Sequence, residues 1–83
     1  MIKIFTQNHN DEYRISRVKI EVNSTCTYDI LGYNICTSEY VWLGTYINLI
    51  DANEIVAAIL KQKFVQFKGG SEYNIFEMPY DKY

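Results

Sequence analysis

One histidine, two cysteines, one proline and four glycines are all that this chain of 83 residues holds of the side chains that build metal centres, disulfide frameworks and flexible linkers. Cys26 and Cys36 fit neither a C-x-x-C redox spacing nor a zinc-binding set, because His9 is the sole histidine. A surplus of one charge is lacking too: eight basic residues stand against ten acidic, for a net of −2. Bulk nucleic acid demands a basic stripe, and none is present. No apolar run approaches the roughly 20 residues of a membrane helix, so no membrane span is expected. The opening MIKIFTQNHN alternates polar and apolar residues and does not read as a signal peptide, which makes the cytoplasm the expected address.

Apolar and aromatic material is plentiful by contrast. Hydrophobic residues make up 48% of the chain, and eight Tyr, four Phe and one Trp supply its aromatics. A chain this short buries only about 60% of its unfolded surface, so residues 1–83 read as one small domain with a lean core. Ile, Asn, Tyr and Lys account for 32 of the 83 residues against three Ala. All four have AT-rich codons, so a bland reading stands beside any functional one: base composition as the source of part of the tyrosine excess.

Hydrophobic periodicity predicts an α+β fold. Ile2 and Ile4 flank Lys3 in a short first strand, and Asn8-His9-Asn10-Asp11 reads as a turn. Val18, Ile20 and Val22 then alternate with Arg17, Lys19 and Glu21, as in a sheet covered on one side only. Asn23-Ser24-Thr25 breaks that strand as a polar turn. Tyr28 to Ile35 is β-rich, with Gly32 marking a bulge or a turn. A reversal near Leu31-Gly32 would set Cys26 opposite Cys36, where a disulfide is geometrically open to them but disfavoured in a reducing cytosol. Tyr40 to Ile47 is apolar on both faces and reads as a central strand, with Tyr40, Trp42 and Tyr46 on one side of it.

Asn48 is a good N-cap, and Asp51 three residues on resembles the reciprocal capping arrangement. Ile47 is placed to staple against Ala52. Ala52, Ile55, Val56, Ile59 and Leu60 form one apolar stripe on a helix of about 49–62. Phe64 to Phe67, a Gly69-Gly70 turn and Tyr73 to Met78 complete the pattern before Pro79. The expected architecture is an antiparallel sheet of about five to six strands, in the order β-β-β-β-α-β-β, with one helix packed across it.

Catalysis finds little support. No Ser or Cys nucleophile is tied to His9 by a motif, Asp11 and Glu12 point to opposite faces of a strand, and neither a Walker loop nor G-x-G-x-x-G occurs. No cofactor is expected. Gly69-Gly70-Ser71 reads as a turn, not as a phosphate nest, because no helix follows it. Binding is better served. Arg14, Arg17 and Lys19 are the densest basic group, suited to phosphate, and Tyr40, Trp42, Tyr73 and Tyr80 are the aromatics suited to stacking on a base. Two readings stay open for Tyr40 and Trp42: core beneath the helix, or ligand site. Surplus aromatic surface also favours a homo-oligomer, since Tyr and Trp are enriched at interfaces.

Three stretches in this order carry a likeness: Met1-Ile2 through Thr6-Gln7, Leu43-Gly44-Thr45-Tyr46 ahead of the capped helix with its Ala52, Ile55, Val56 and Ile59, and the closing Glu77-Met78-Pro79. Together they resemble a group of short proteins encoded by Gram-positive bacteria, their phages and mobile elements. The likeness covers about half of the chain in short pieces. It departs from the group at the cap, where Asn48-Leu49-Ile50 replace a Ser/Thr cap and a charged first turn. The resemblance implies a phage or mobile-element origin, action inside a bacterial host cell, and the kind of role such proteins fill as antagonists of host defence. The expectation is a non-catalytic sponge for a nucleotide-derived immune signal, bound at a subunit interface; the alternative is an inhibitor that binds a host protein.

Overall fold

The computed structural model describes residues 2–63 and 74–80. They form β1 (Ile2–Phe5), β2 (Glu12–Val22), β3 (Tyr28–Asn34), β4 (Glu39–Tyr46), α1 (Leu49–Lys63) and β5 (Asn74–Glu77). The expected α+β class holds. The sheet has five strands in the order β4-β3-β2-β1-β5. β1 to β4 are an antiparallel meander, whereas β5 lies parallel to β1. The sheet is therefore mixed and not antiparallel throughout: α1 carries the chain across the sheet where a hairpin would have turned it back. The expected strand over Phe64–Phe67, the Gly69-Gly70 turn and Tyr73 lie outside the described residues.

Two irregularities decide which side chains share a face. In β2 the pairing with β3 slips between Ile15 and Val18, so one extra residue enters there. Tyr13 and Ile15 before the bulge, and Val18 and Ile20 after it, thus all turn toward the core despite opposite parity. In β4, Ile30 faces Gly44 while Leu31 faces Trp42, which makes Leu43 the extra residue. That second bulge separates Tyr46 from Tyr40 and Trp42. Tyr46 is 1% exposed in the core, where its hydroxyl donates to the carbonyl of Pro79 at 2.6 Å.

The helix covers the face that carries Ile2, Ile4, Ile15, Ile30 and Leu43, and buries Ala52, Ile55 and Ile59 against it. Asn48 caps α1 as expected, its Oδ1 accepting from the Ile50 amide at 2.8 Å. Leu60 is exposed, so the stripe is narrower than its spacing implies, and Ile47 is exposed instead of stapling Ala52. Gly32 sits mid-strand and makes no turn. A Cβ there would meet Ile15 Cδ1 at 2.8 Å and Leu43 Cδ1 at 2.9 Å, so the absence of a side chain lets those two meet over the strand.

β4 is an edge strand and not a central one, yet part of its edge is closed. The Gln7 amide donates to the Leu43 carbonyl at 2.7 Å, and the Gln7 carboxamide then pairs with the backbone of Thr45. Cys26 and Cys36 lie in the turns before and after β3, both exposed and free. A strand of seven residues keeps them apart by about 20 Å, well beyond the reach of about 7 Å that a disulfide tolerates. Among the described residues, no helix is long and apolar enough to cross a membrane.

Candidate functional site

The face of the sheet turned away from α1 gathers most of the sequence-derived candidates. Arg17 and Lys19 belong to it on β2, and the bulge returns Arg14 to the same side, opposite Lys3. β3 contributes Asp29, Leu31 and Tyr33, and β4 contributes Tyr40, Trp42 and Thr45. Cross-strand register arranges them in rungs. Tyr33 pairs with Tyr40, Lys19 with Leu31 and Trp42, and Glu21 with Asp29 and Thr45. The face thereby carries charge at both ends around an aromatic middle. Lys3, Arg14 and Arg17 stand with Glu12 at one end, where Lys3 pairs with Glu12 at 3.4 Å. Asp29 and Glu21 lie toward the other, where Glu21 pairs with Lys19.

Packing of Tyr40 and Trp42 beneath the helix is overturned. They remain 42% and 37% exposed on the uncovered face, because the helix takes the Val41 and Leu43 side of β4. The cationic end is ordered by the aromatic rings. The Arg17 guanidinium stands 4.7 Å from the Tyr33 ring centroid and the Lys19 ammonium 4.2 Å from that of Tyr40. The two tyrosines meet edge to face with centroids 5.4 Å apart. Such contacts are weak at exposed sites, where water screens the cation, and here they orient the side chains more than they stabilise the fold. Lys19 also bonds Glu21 at 2.8 Å. That hydrogen bond raises the Lys19 pKa above its ordinary value; partial burial opposes it, and the charge of Glu21 and then Tyr40 reinforce it.

Trp42 is held differently. Its indole Nε1 donates to Thr45 Oγ1 at 2.8 Å, and that hydroxyl donates to Asp29 Oδ1 at 2.6 Å. Asn23 Nδ2 reaches the same carboxylate oxygen at 3.3 Å. Asn23 is fixed in turn because its Oδ1 accepts from the Thr25 and Thr27 amides, which leaves Cys26 in a left-handed conformation. An exposed indole thus has its orientation set by a relay of polar groups, and no described aromatic ring stacks on it. A planar group laid on it would find a platform already in place.

Arg14 lies at the far end of the cationic group, at a depression of about 420 Å³ shared with Lys3, Glu12 and Asn34. Tyr80 is not brought into the aromatic row. Its ring stacks on His9 at the β1–β2 turn, with centroids 5.0 Å apart. Tyr73 lies outside the described residues. Tyr33, Asp29 and Thr45 are the participants that sequence reasoning missed. Strict alternation from Asp29 through Leu31 to Tyr33 was the available signal, masked by taking Gly32 for a break. Among the described residues no cluster of His, Cys, Asp and Glu has the makings of a metal site. No protein-family model matches the chain, and no curated protein or solved structure is significantly similar to it.

Proposed function

We propose that this protein acts by binding, and that its uncovered sheet face takes a nucleotide-type ligand. The observation that carries the reading is Trp42: a half-exposed indole, oriented by Thr45 and Asp29, beside the cations Arg17 and Lys19 on the same face. Stacking of a base on an aromatic ring contributes about 1–3 kcal/mol, and a guanidinium and an ammonium suit its phosphate. Likeness to phage-borne proteins supplies the setting, in which the chain sequesters a nucleotide-derived immune signal of the host cell. Small-ligand sites are usually concave. A second copy of the chain closing on this face would enclose the ligand, which favours binding at a subunit interface. Titration calorimetry of the folded protein against cyclic and ADP-ribose-type nucleotides then gives saturable heat with at least one of them. Silence with every member defeats the reading.

A second reading rests on a different surface. Val22, Ile47, Leu49 and Ile50 are all exposed where α1 begins, and Ile47, Leu49 and Ile50 border a hollow of about 450 Å³. Grouped apolar side chains in water mark protein contacts. On this reading the chain is an inhibitor docked on a host protein. Affinity capture that retains one host protein, with no nucleotide bound, is the result that favours it.

A further inference from the structure

Along β4 and its neighbours the uncovered face runs in a fixed chemical order. The Lys19 ammonium lies over Tyr40, and Arg17 lies over the adjoining Tyr33. Trp42 comes next, two residues on and about 6.5 Å further along the strand. Beyond it stand Thr45 and Asp29, the carboxylate being one hydroxyl removed from the indole nitrogen. A ligand that is anionic throughout meets Asp29 at the wrong end, and a phosphate takes the Lys19 ammonium by displacing Glu21, which bonds it at 2.8 Å. One that is anionic at one end and rich in hydrogen-bond donors at the other is complementary to the whole strip.

We infer that the base recognised on Trp42 is guanine. This rests on the nucleotide reading above and specifies its ligand. With the phosphate at Lys19 and Arg17, a base stacked on Trp42 directs the edge far from its phosphate toward Asp29. An ionised carboxylate accepts hydrogen bonds and donates none, so the base must offer donors there. Guanine carries N1–H and a 2-amino group side by side, which a carboxylate takes as a pair. Adenine offers a single amino group and hypoxanthine a single ring N–H. Thr45 and Asn23 both bond Asp29 Oδ1, at 2.6 and 3.3 Å, so the base meets Oδ2 and completes the pair on Oδ1 by displacing the longer bond from Asn23.

Trp42 is the chain's one tryptophan, so its emission reports the site with no label. Titrating the full chain with GMP, IMP, AMP and ADP-ribose separates the outcomes. GMP is expected to perturb the emission saturably and to bind about tenfold more tightly than IMP, the worth of one hydrogen bond to a charged group. Asp29→Asn, which still accepts from Thr45, is expected to erase that preference. Equal binding of GMP and IMP, or tighter binding of AMP or ADP-ribose, overturns the guanine assignment and leaves the nucleotide reading standing. No saturable change with any of the four overturns the assignment and counts against the nucleotide reading as well. The comparison among ligands needs only the unaltered chain, so it holds even if the variant misfolds.

Discussion

The carboxamide of Gln7 exchanges two hydrogen bonds with the backbone of Thr45, donating to its carbonyl at 3.0 Å and accepting from its amide at 2.9 Å. A side chain here stands in for a peptide unit and closes the edge of β4 38 residues away in sequence. It also immobilises the residue whose hydroxyl links Trp42 to Asp29. Edge closure and orientation of the indole therefore depend on one another.

Gln7→Ala removes both bonds and leaves the Thr45 amide and carbonyl to water. The expected cost is about 1–3 kcal/mol of unfolding free energy, measured by urea denaturation. A midpoint equal to that of the parent chain would show that the edge needs no such partner.

Thr45→Val keeps the β-branched shape that strands favour while deleting the hydroxyl of the relay. Trp42 Nε1 is exposed enough to turn to water, so stability is expected to change by less than about 1.5 kcal/mol. The indole itself should loosen, seen as a faster decay of its fluorescence anisotropy. An unchanged decay would mean that packing, and not the hydroxyl, holds the ring.

Gly32→Ala tests the closest approach in the core. The added methyl group falls within 2.9 Å of both Ile15 and Leu43, and both neighbours are buried. Overpacking of this kind costs about 1–3 kcal/mol. Thermal or urea unfolding of the variant is expected to show it, and a neutral substitution would contradict the packing described.

The Lys19–Glu21 contact has a pH signature. Because the folded-state pKa of Lys19 is raised, its contribution is fully present below the ordinary value of 10.5 and is lost as pH climbs through the higher folded value. Following the Lys19 Cε resonance through alkaline titration, Glu21→Gln is expected to bring the midpoint down toward 10.5. An identical midpoint in both proteins would remove Glu21 as the cause.

Local signals announced much of this fold. Asn48 ahead of Ala52, Ile55 and Ile59 marks the helix, because a cap and a buried stripe both act within a few turns. Alternation from Val18 to Val22 marks the second half of β2 for the same reason. Its first half was hidden: the bulge after Ile15 reverses parity, so Tyr13 and Arg14 read as out of phase with the rest. The bulge at Leu43 did the same to β4, grouping Tyr46 with Trp42 in sequence although they lie on opposite faces. Arg17, Lys19, Tyr40 and Trp42 were identifiable by chemistry. Their convergence was not, since the register of β2, β3 and β4 and the bond from Thr45 to Asp29 join residues far apart in the chain.

Backbone amide and indole Nε1–H NMR mapping during a titration with GMP tests the face most directly. The expected result is saturable shift changes at the Trp42 indole and at the amides of Lys19, Leu31, Asp29 and Thr45, with Ala52, Ile55 and Ile59 on the helix left unmoved. Changes confined to Val22, Ile47, Leu49 and Ile50, or none at saturating nucleotide, would contradict a ligand site on the uncovered sheet.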